Sequence, residues 1–121
     1  MKNIVLIIDD DNRNIFALRL ALKARGYTSI SATSVPEGLS LIYENPHIRV
    51  VLMDMMMPDV DGYAAIKMLR ADERFIDMPV VAVTAQAMSG DREKCLAAGA
   101  NGYVSKPVDI DKLIAVIEKV G

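Results

Sequence analysis

The chain has one cysteine and one histidine in 121 residues, and no strong excess of either charge. Each shortage excludes something. A lone Cys95 cannot close an internal disulfide, which suits a reducing compartment, and its place within a helical pattern argues against a reactive thiol. The single histidine, His47, follows Pro46 in a loop and reads as a surface residue. A net charge of −2, with the basic residues scattered, leaves no electrostatic footprint for nucleic acid. The apolar run near the start, Ile4 to Ile8, is too short for a membrane span or a signal-peptide core. No membrane insertion is expected, and the cytoplasm is the expected location. There is no repeat, low-complexity tract or linker, so residues 1–121 read as one domain with one core.

What is present is a regular alternation. Ile4-Val5-Leu6-Ile7-Ile8 has no polar alternation and predicts a strand buried on both faces. Asp9, Asp10 and Asp11 follow it, then Asn12, which can cap a helix running to about Arg25 and closed by Gly26. Tyr27 to Thr33 predicts a more polar strand suited to a sheet edge. Ser34-Val35-Pro36-Glu37 is a capping box with proline in the first turn, and its helix ends before Asn45-Pro46. Val50 to Met53 is the third strand, followed by a helix from about Gly62 to Ala71. Pro79 to Thr84 is the fourth strand, with a helix from Gln86 to Ala98 and Gly99 behind it. Asn101 to Ser105 is a short fifth strand. Asp109 caps a final helix with the stripe Ile110, Leu113, Ile114 and Ile117. Strands alternating with helical crossovers imply a parallel sheet covered on both faces. With the polar second strand outside and the first near the centre, the expected fold is a doubly wound, flavodoxin-like α/β sheet of order 2-1-3-4-5.

In that order the ends of strands 1, 3, 4 and 5 carry Asp9 and Asp10, Asp54, Thr84 and Lys106, all on one sheet edge at the topological switch point. The alternative for Asp54 alone is a helix cap at a strand end; for Asp9 and Asp11 it is a solvent-facing cap of the first helix, which Asp11 suits better than Asp10 does. Three converging carboxylates repel one another by roughly 3 kcal/mol per pair at about 5 Å and an effective dielectric of about 20. That total rivals the ~5–15 kcal/mol stability of a small domain. Lys106 relieves part of it, and the remainder favours Mg²⁺, which takes oxygen ligands. A carboxylate can accept a phosphoryl group, and phosphoryl transfer asks mainly for positioning and charge stabilisation. Mg²⁺ on Asp10, Asp54 and a backbone carbonyl near Met56, with Lys106 and the Thr84 hydroxyl on other phosphoryl oxygens, would supply both.

LIIDDD, VLMDMMMPDVDG, VVAVTA and GYVSKP, taken in order, resemble the receiver domain of two-component response regulators over the whole chain. The resemblance implies that Asp54 is the phosphoacceptor, that Asp9 and Asp10 are the acidic pair, that Thr84 and Lys106 are switch residues, and that Tyr103 is the switch aromatic. It also implies a cis bond before Pro107, which is cheap only at X-Pro. The expected function is to take a phosphoryl group from the phosphohistidine of a histidine kinase or histidine phosphotransfer protein. The chain then changes its surface through Thr84 and Tyr103, expected at equivalent positions on neighbouring strands, and dephosphorylates itself without acting on other substrates. A phosphorylation-dependent dimer belongs to the same expectation. Met56 and Gln86, two residues after Asp54 and Thr84, should overhang the site and tune water access in opposite directions. Met53 and Met68 read as core filler. On the first helix Ala17, Leu18, Ala21 and Leu22 should face the sheet, leaving Phe16 and Leu20 near the surface; the resemblance implies that this end meets the phosphodonor's helices, which an apolar patch suits, and core packing is the alternative for Phe16. The run from Asp9 to Leu18 also resembles receivers of hybrid kinases, while Met1 and the clean end suit a small complete protein.

Two other classes share parts of this pattern. A haloacid-dehalogenase-like phosphatase also uses Asp, Thr, Lys and Mg²⁺, but needs a second Asp where Met56 stands. A flavin- or nucleotide-binding module needs a Gly- or Ser/Thr-rich loop after the first strand, where this chain has Asp9-Asp10-Asp11-Asn12-Arg13, acids that repel phosphate unless a cation intervenes.

Overall fold

The computed structural model describes residues 4–57, 61–85 and 90–120. Five strands, β1 (Ile4–Ile8), β2 (Thr28–Ala32), β3 (Ile48–Asp54), β4 (Val80–Thr84) and β5 (Gly102–Ser105), alternate with five helices, α1 (Asn12–Ala24), α2 (Val35–Glu44), α3 (Gly62–Ala71), α4 (Asp91–Ala98) and α5 (Ile110–Val120). All four pairings are parallel, and the sheet order is β2-β1-β3-β4-β5. The doubly wound fold expected from polarity is the one found.

The apolar runs are continuous because both faces of the sheet are covered. Leu6, Ile8, Val51, Met53, Val80 and Ala82 point to one side, where Val35 and Ile42 of α2, Ala65, Ile66 and Leu69 of α3, and Cys95 and Ala98 of α4 close over them. Val5, Ile7, Val50, Leu52, Val81, Val83 and Val104 point to the other, against Ile15, Leu18 and Leu22 of α1 and Leu113 and Ile117 of α5. The hydroxyl-rich β2 takes the edge, where Arg19 of α1 donates to the Ser29 hydroxyl at 3.3 Å and to its carbonyl at 3.2 Å. A charged side chain thus covers part of that edge.

Several local expectations change. Of the two cap residues the sequence offered, Asp11 caps α1 as its solvent-facing reading had it, its carboxylate accepting from the Arg13 N–H at 2.9 Å, and Asn12 does not. Asp11 can do so because its own backbone is extended while Asn12 is already helical. Ile15 takes the core position on α1 assigned to Ala17, which is exposed; the helix is rotated so that its larger side chains fill the space. β3 begins two residues early and includes Asp54 itself, because Ile48 is buried and Asp54 pairs with Val83. Met68 is 60% exposed while Met53 is fully buried, so only the second is core filler. β2, β4 and β5 are each shorter than expected at their polar or proline ends. The expected helix start at Gln86 lies outside the described residues; α4 is described from Asp91, after Gly90.

Candidate functional site

β1, β3, β4 and β5 all run the same way, so their C-terminal ends open on one edge. Asp54 ends β3 and is only 4% exposed, and Asp9, directly after β1, is 2% exposed. Asp10 is exposed beside them. One carboxylate oxygen from each of the three lies within 4.8 Å of the others. Lys106, just past β5, enters from the far side, its Nζ 3.4 Å from Asp54 Oδ1 and 3.7 Å from Asp9 Oδ2. The Lys106 N–H donates to the Thr84 carbonyl at 2.8 Å, tying the lysine to the end of β4. Thr84 is fully buried, and the Lys106–Pro107 peptide bond is cis.

The backbone holds the acids in place. Met56 N–H donates to Asp54 Oδ1 at 3.0 Å, and Met55 N–H donates to the Val83 carbonyl at 2.9 Å. α3 presses on this turn: a Cβ on Gly62 would stand 2.7 Å from Met55 Sδ and 2.8 Å from Met55 Cα. Only glycine permits that approach. Asp9 turns inward rather than capping α1 from solvent. It accepts from the Asp11 N–H at 2.9 Å and from the Asn14 side-chain amide.

Burial is the largest influence on Asp54 and holds its carboxyl above the ordinary 3.8. The Met56 N–H and Lys106 work the other way, while the Asp9 charge adds to the rise. Two buried acids and a third beside them face one lysine, so negative charge is in excess. The donor set is all oxygen, the set a hard divalent cation takes. The residues present therefore fit Mg²⁺, as the sequence led us to expect.

The family model of the response regulator receiver domain matches residues 5–118. The chain belongs to this family. The polar-differentiation response regulator DivK of Brucella ovis is 37% identical over 118 residues, which cover 98% of this chain and 95% of that protein. Among solved structures, the receiver domain of the Francisella response regulator 1452 is 30% identical and superimposes with a TM-score of 0.86, covering 98% of this chain and 95% of the other. The Vibrio cholerae chemotaxis protein CheY4, at 22% identity, shares the fold with a TM-score of 0.88 over the full length of both chains. As a receiver, this chain is a signalling protein whose phosphoacceptor role and phosphodonor kinases follow from the family.

The receiver's sheet brings Asp9, Asp10, Asp54 and Lys106 together as the sequence led us to expect. Tyr103 and Thr84 differ from expectation. Tyr103 pairs with Ala82, and Thr84 pairs with Ser105, so they stand two residues apart in register rather than level. Because side chains alternate, a two-residue offset still leaves them on the same face. Met56 is 45% exposed, and His47 is exposed. Gln86 lies outside the described residues. Phe16 and Leu20 are 66% and 55% exposed, and with Arg19, Lys23 and Tyr27 they line a groove along α1 and the start of β2. No helix among the described residues is long and apolar enough to cross a membrane.

One participant was not singled out from sequence: Asn14, whose side-chain amide donates to Asp9. An amide in the first turn of a helix that follows an acidic run is the signal that could have found it.

Proposed function

We propose that Asp54 is the phosphoacceptor of this receiver, taking a phosphoryl group from a phosphohistidine of a histidine kinase or histidine phosphotransfer protein. What carries the reading is the convergence of Asp9, Asp10 and Asp54 within 4.8 Å, with Lys106 reaching two of them. An Asp54 carboxylate oxygen attacks phosphorus, the phosphorus–nitrogen bond breaks, and the nitrogen electron pair returns to the imidazole. Asp9, Asp10, Asp54 and the Met56 carbonyl would hold Mg²⁺, which neutralises charge on the transferring oxygens. Lys106 is placed to contact one phosphoryl oxygen and the Thr84 hydroxyl another. Burial of Asp54 keeps bulk water back and strengthens these contacts, while the half-exposed Met56 cannot orient a hydrolytic water. Self-catalysed hydrolysis then removes the phosphoryl group from Asp54.

The switch in this reading is a population shift: a phosphoryl group that draws the Thr84 hydroxyl toward Asp54 favours a repositioned Tyr103 on the same sheet face, and with it a changed α4-β5-α5 surface. The phosphodonor's helices dock on the apolar Phe16 and Leu20 beside the site. The reading carries a cytoplasmic location and a phosphorylation-dependent dimer as secondary expectations. Incubation with acetyl phosphate and Mg²⁺ tests it by intact mass. A gain of about 80 Da, the mass of one phosphoryl group, is expected, and Asp54→Asn should abolish it. An adduct that persists in Asp54→Asn would overturn the assignment.

A further inference from the structure

Away from the acidic pocket, one buried carboxylate joins three elements. Asp91, the first residue of α4, is 7% exposed. Its Oδ1 accepts the Tyr63 hydroxyl of α3 at 2.6 Å, and its Oδ2 accepts the Tyr103 hydroxyl of β5 at 3.3 Å. A buried carboxylate needs such donors, and bonds to an ionised acceptor are the stronger kind. Its place in the first turn of a helix adds a favourable dipole. Tyr63 is fixed in turn: the Lys94 ammonium lies 4.3 Å from its ring centroid, and its neighbour Gly62 packs on Met55, next to Asp54. Both tyrosine hydroxyls are held above their ordinary range, by the Asp91 bond first for Tyr63 and by burial first for Tyr103.

We propose that Asp91 is a positioning residue for the receiver's switch: its carboxylate, bridging the Tyr63 and Tyr103 hydroxyls, holds the Tyr103 ring in its half-buried position and ties it to the start of α4. Moving the ring then requires giving up the bond to Asp91, so Asp91 sets how readily the switch turns. The proposal rests on the reading that Tyr103 moves with phosphorylation of Asp54. It adds a contact that couples α3, α4 and β5 on the face Thr84 shares. The two hydroxyls bond different oxygens of one carboxylate and share its charge, so removing the Tyr63 donor should strengthen the remaining bond to Tyr103.

The experiment is NMR of the full chain with ring-labelled tyrosine, before and after acetyl phosphate and Mg²⁺. In unphosphorylated Asp91→Asn, the Tyr103 signal should move toward its phosphorylated position, an equilibrium change of about tenfold, the weight of one charge-assisted hydrogen bond. Tyr63→Phe should move it the opposite way, and remains informative if Asp91→Asn fails to fold. Asp91→Asn alone should raise the rate of adduct formation by favouring the switched state, and in a Tyr103→Phe background it should leave that rate unchanged. Tyr103 signals that stay put in both folded single variants would overturn the proposal, as would an unchanged effect of Asp91→Asn on that rate without the Tyr103 hydroxyl. A wild-type chain that gains no adduct would instead sink the phosphoacceptor reading, while opposite displacements of the Tyr103 signal in Asp91→Asn and Tyr63→Phe would still report the hold of Asp91.

Discussion

Replacing Asp54 with Asn should make the receiver more stable when no divalent cation is present. Asp54 takes part in two of the three carboxylate contacts, whose oxygens lie within 4.8 Å of one another. At that distance and an effective dielectric of about 20, each costs roughly 3.5 kcal/mol. The Lys106 ammonium at 3.4 Å returns roughly 5 kcal/mol at the same dielectric. Repulsion therefore exceeds attraction by about 2 kcal/mol at the same dielectric, and desolvation of the buried charge adds to the deficit. Solvent around the exposed Asp10 reduces it. Asparagine keeps the shape and still accepts the Met56 N–H, so the expected gain in EDTA is about 1–3 kcal/mol by urea unfolding at neutral pH. The pH dependence has a definite sign. Because the folded state holds the Asp54 carboxyl above its ordinary 3.8, the folded chain binds the proton more tightly than the unfolded one. The penalty is absent below 3.8 and is fully present above the raised folded value. The stability difference between Asp54→Asn and wild type should accordingly shrink as pH falls through that window. Added Mg²⁺ should stabilise the wild type more than the variant, by mass action on a ligand of the folded state. An Asp54→Asn chain no more stable than wild type in EDTA would refute the idea of crowded, under-compensated charge.

The complementary change should have the opposite sign: Lys106→Met leaves the acids without their cation and should cost about 2–4 kcal/mol in EDTA, discounted from a fully buried pair because the lysine is partly exposed. Urea unfolding with and without Mg²⁺ checks it, Mg²⁺ restoring much of the loss. Arg70 donates to the Gly99, Phe75 and Ile76 carbonyls and to Asn101 Oδ1, at 2.9, 3.0, 3.1 and 2.6 Å. Arg70→Met should therefore cost about 2–4 kcal/mol while acetyl-phosphate labelling of the folded fraction stays near wild type. Gly62→Ala should cost about 1–3 kcal/mol by overpacking Met55, and should slow adduct formation because the displaced turn carries the Met56 N–H that steadies Asp54. Gly26→Ala serves as a control: its Cβ would meet no atom within 4 Å and only its positive φ opposes the change, so its cost should come without any change in labelling rate.

The fold and the acidic pocket were legible in the chain because both follow from local pattern plus one topological rule. Unbroken apolar runs can be satisfied only by a sheet covered on both faces, and parallel strands put all their C-terminal ends on one edge. Asp9, Asp10, Asp54 and Lys106 therefore had to meet, although nearly a hundred residues separate the first from the last. The hydroxyl-rich β2 marked its own edge position, and the capping box at Ser34 set the start of α2.

Only packing decided the rest. Which α1 residues face the sheet depends on the rotation of the helix, and the buried choice was Ile15 over Ala17. Whether a methionine is core or surface depends on which side of its helix is covered, and Met68 fell outside. The register of β4 against β5 set Tyr103 two residues from the level of Thr84, a quantity no single strand contains. The meeting of Tyr63, Asp91 and Tyr103 joins α3, α4 and β5. Side-chain directions across three separately placed elements are settled by close packing in three dimensions, not by spacing along one.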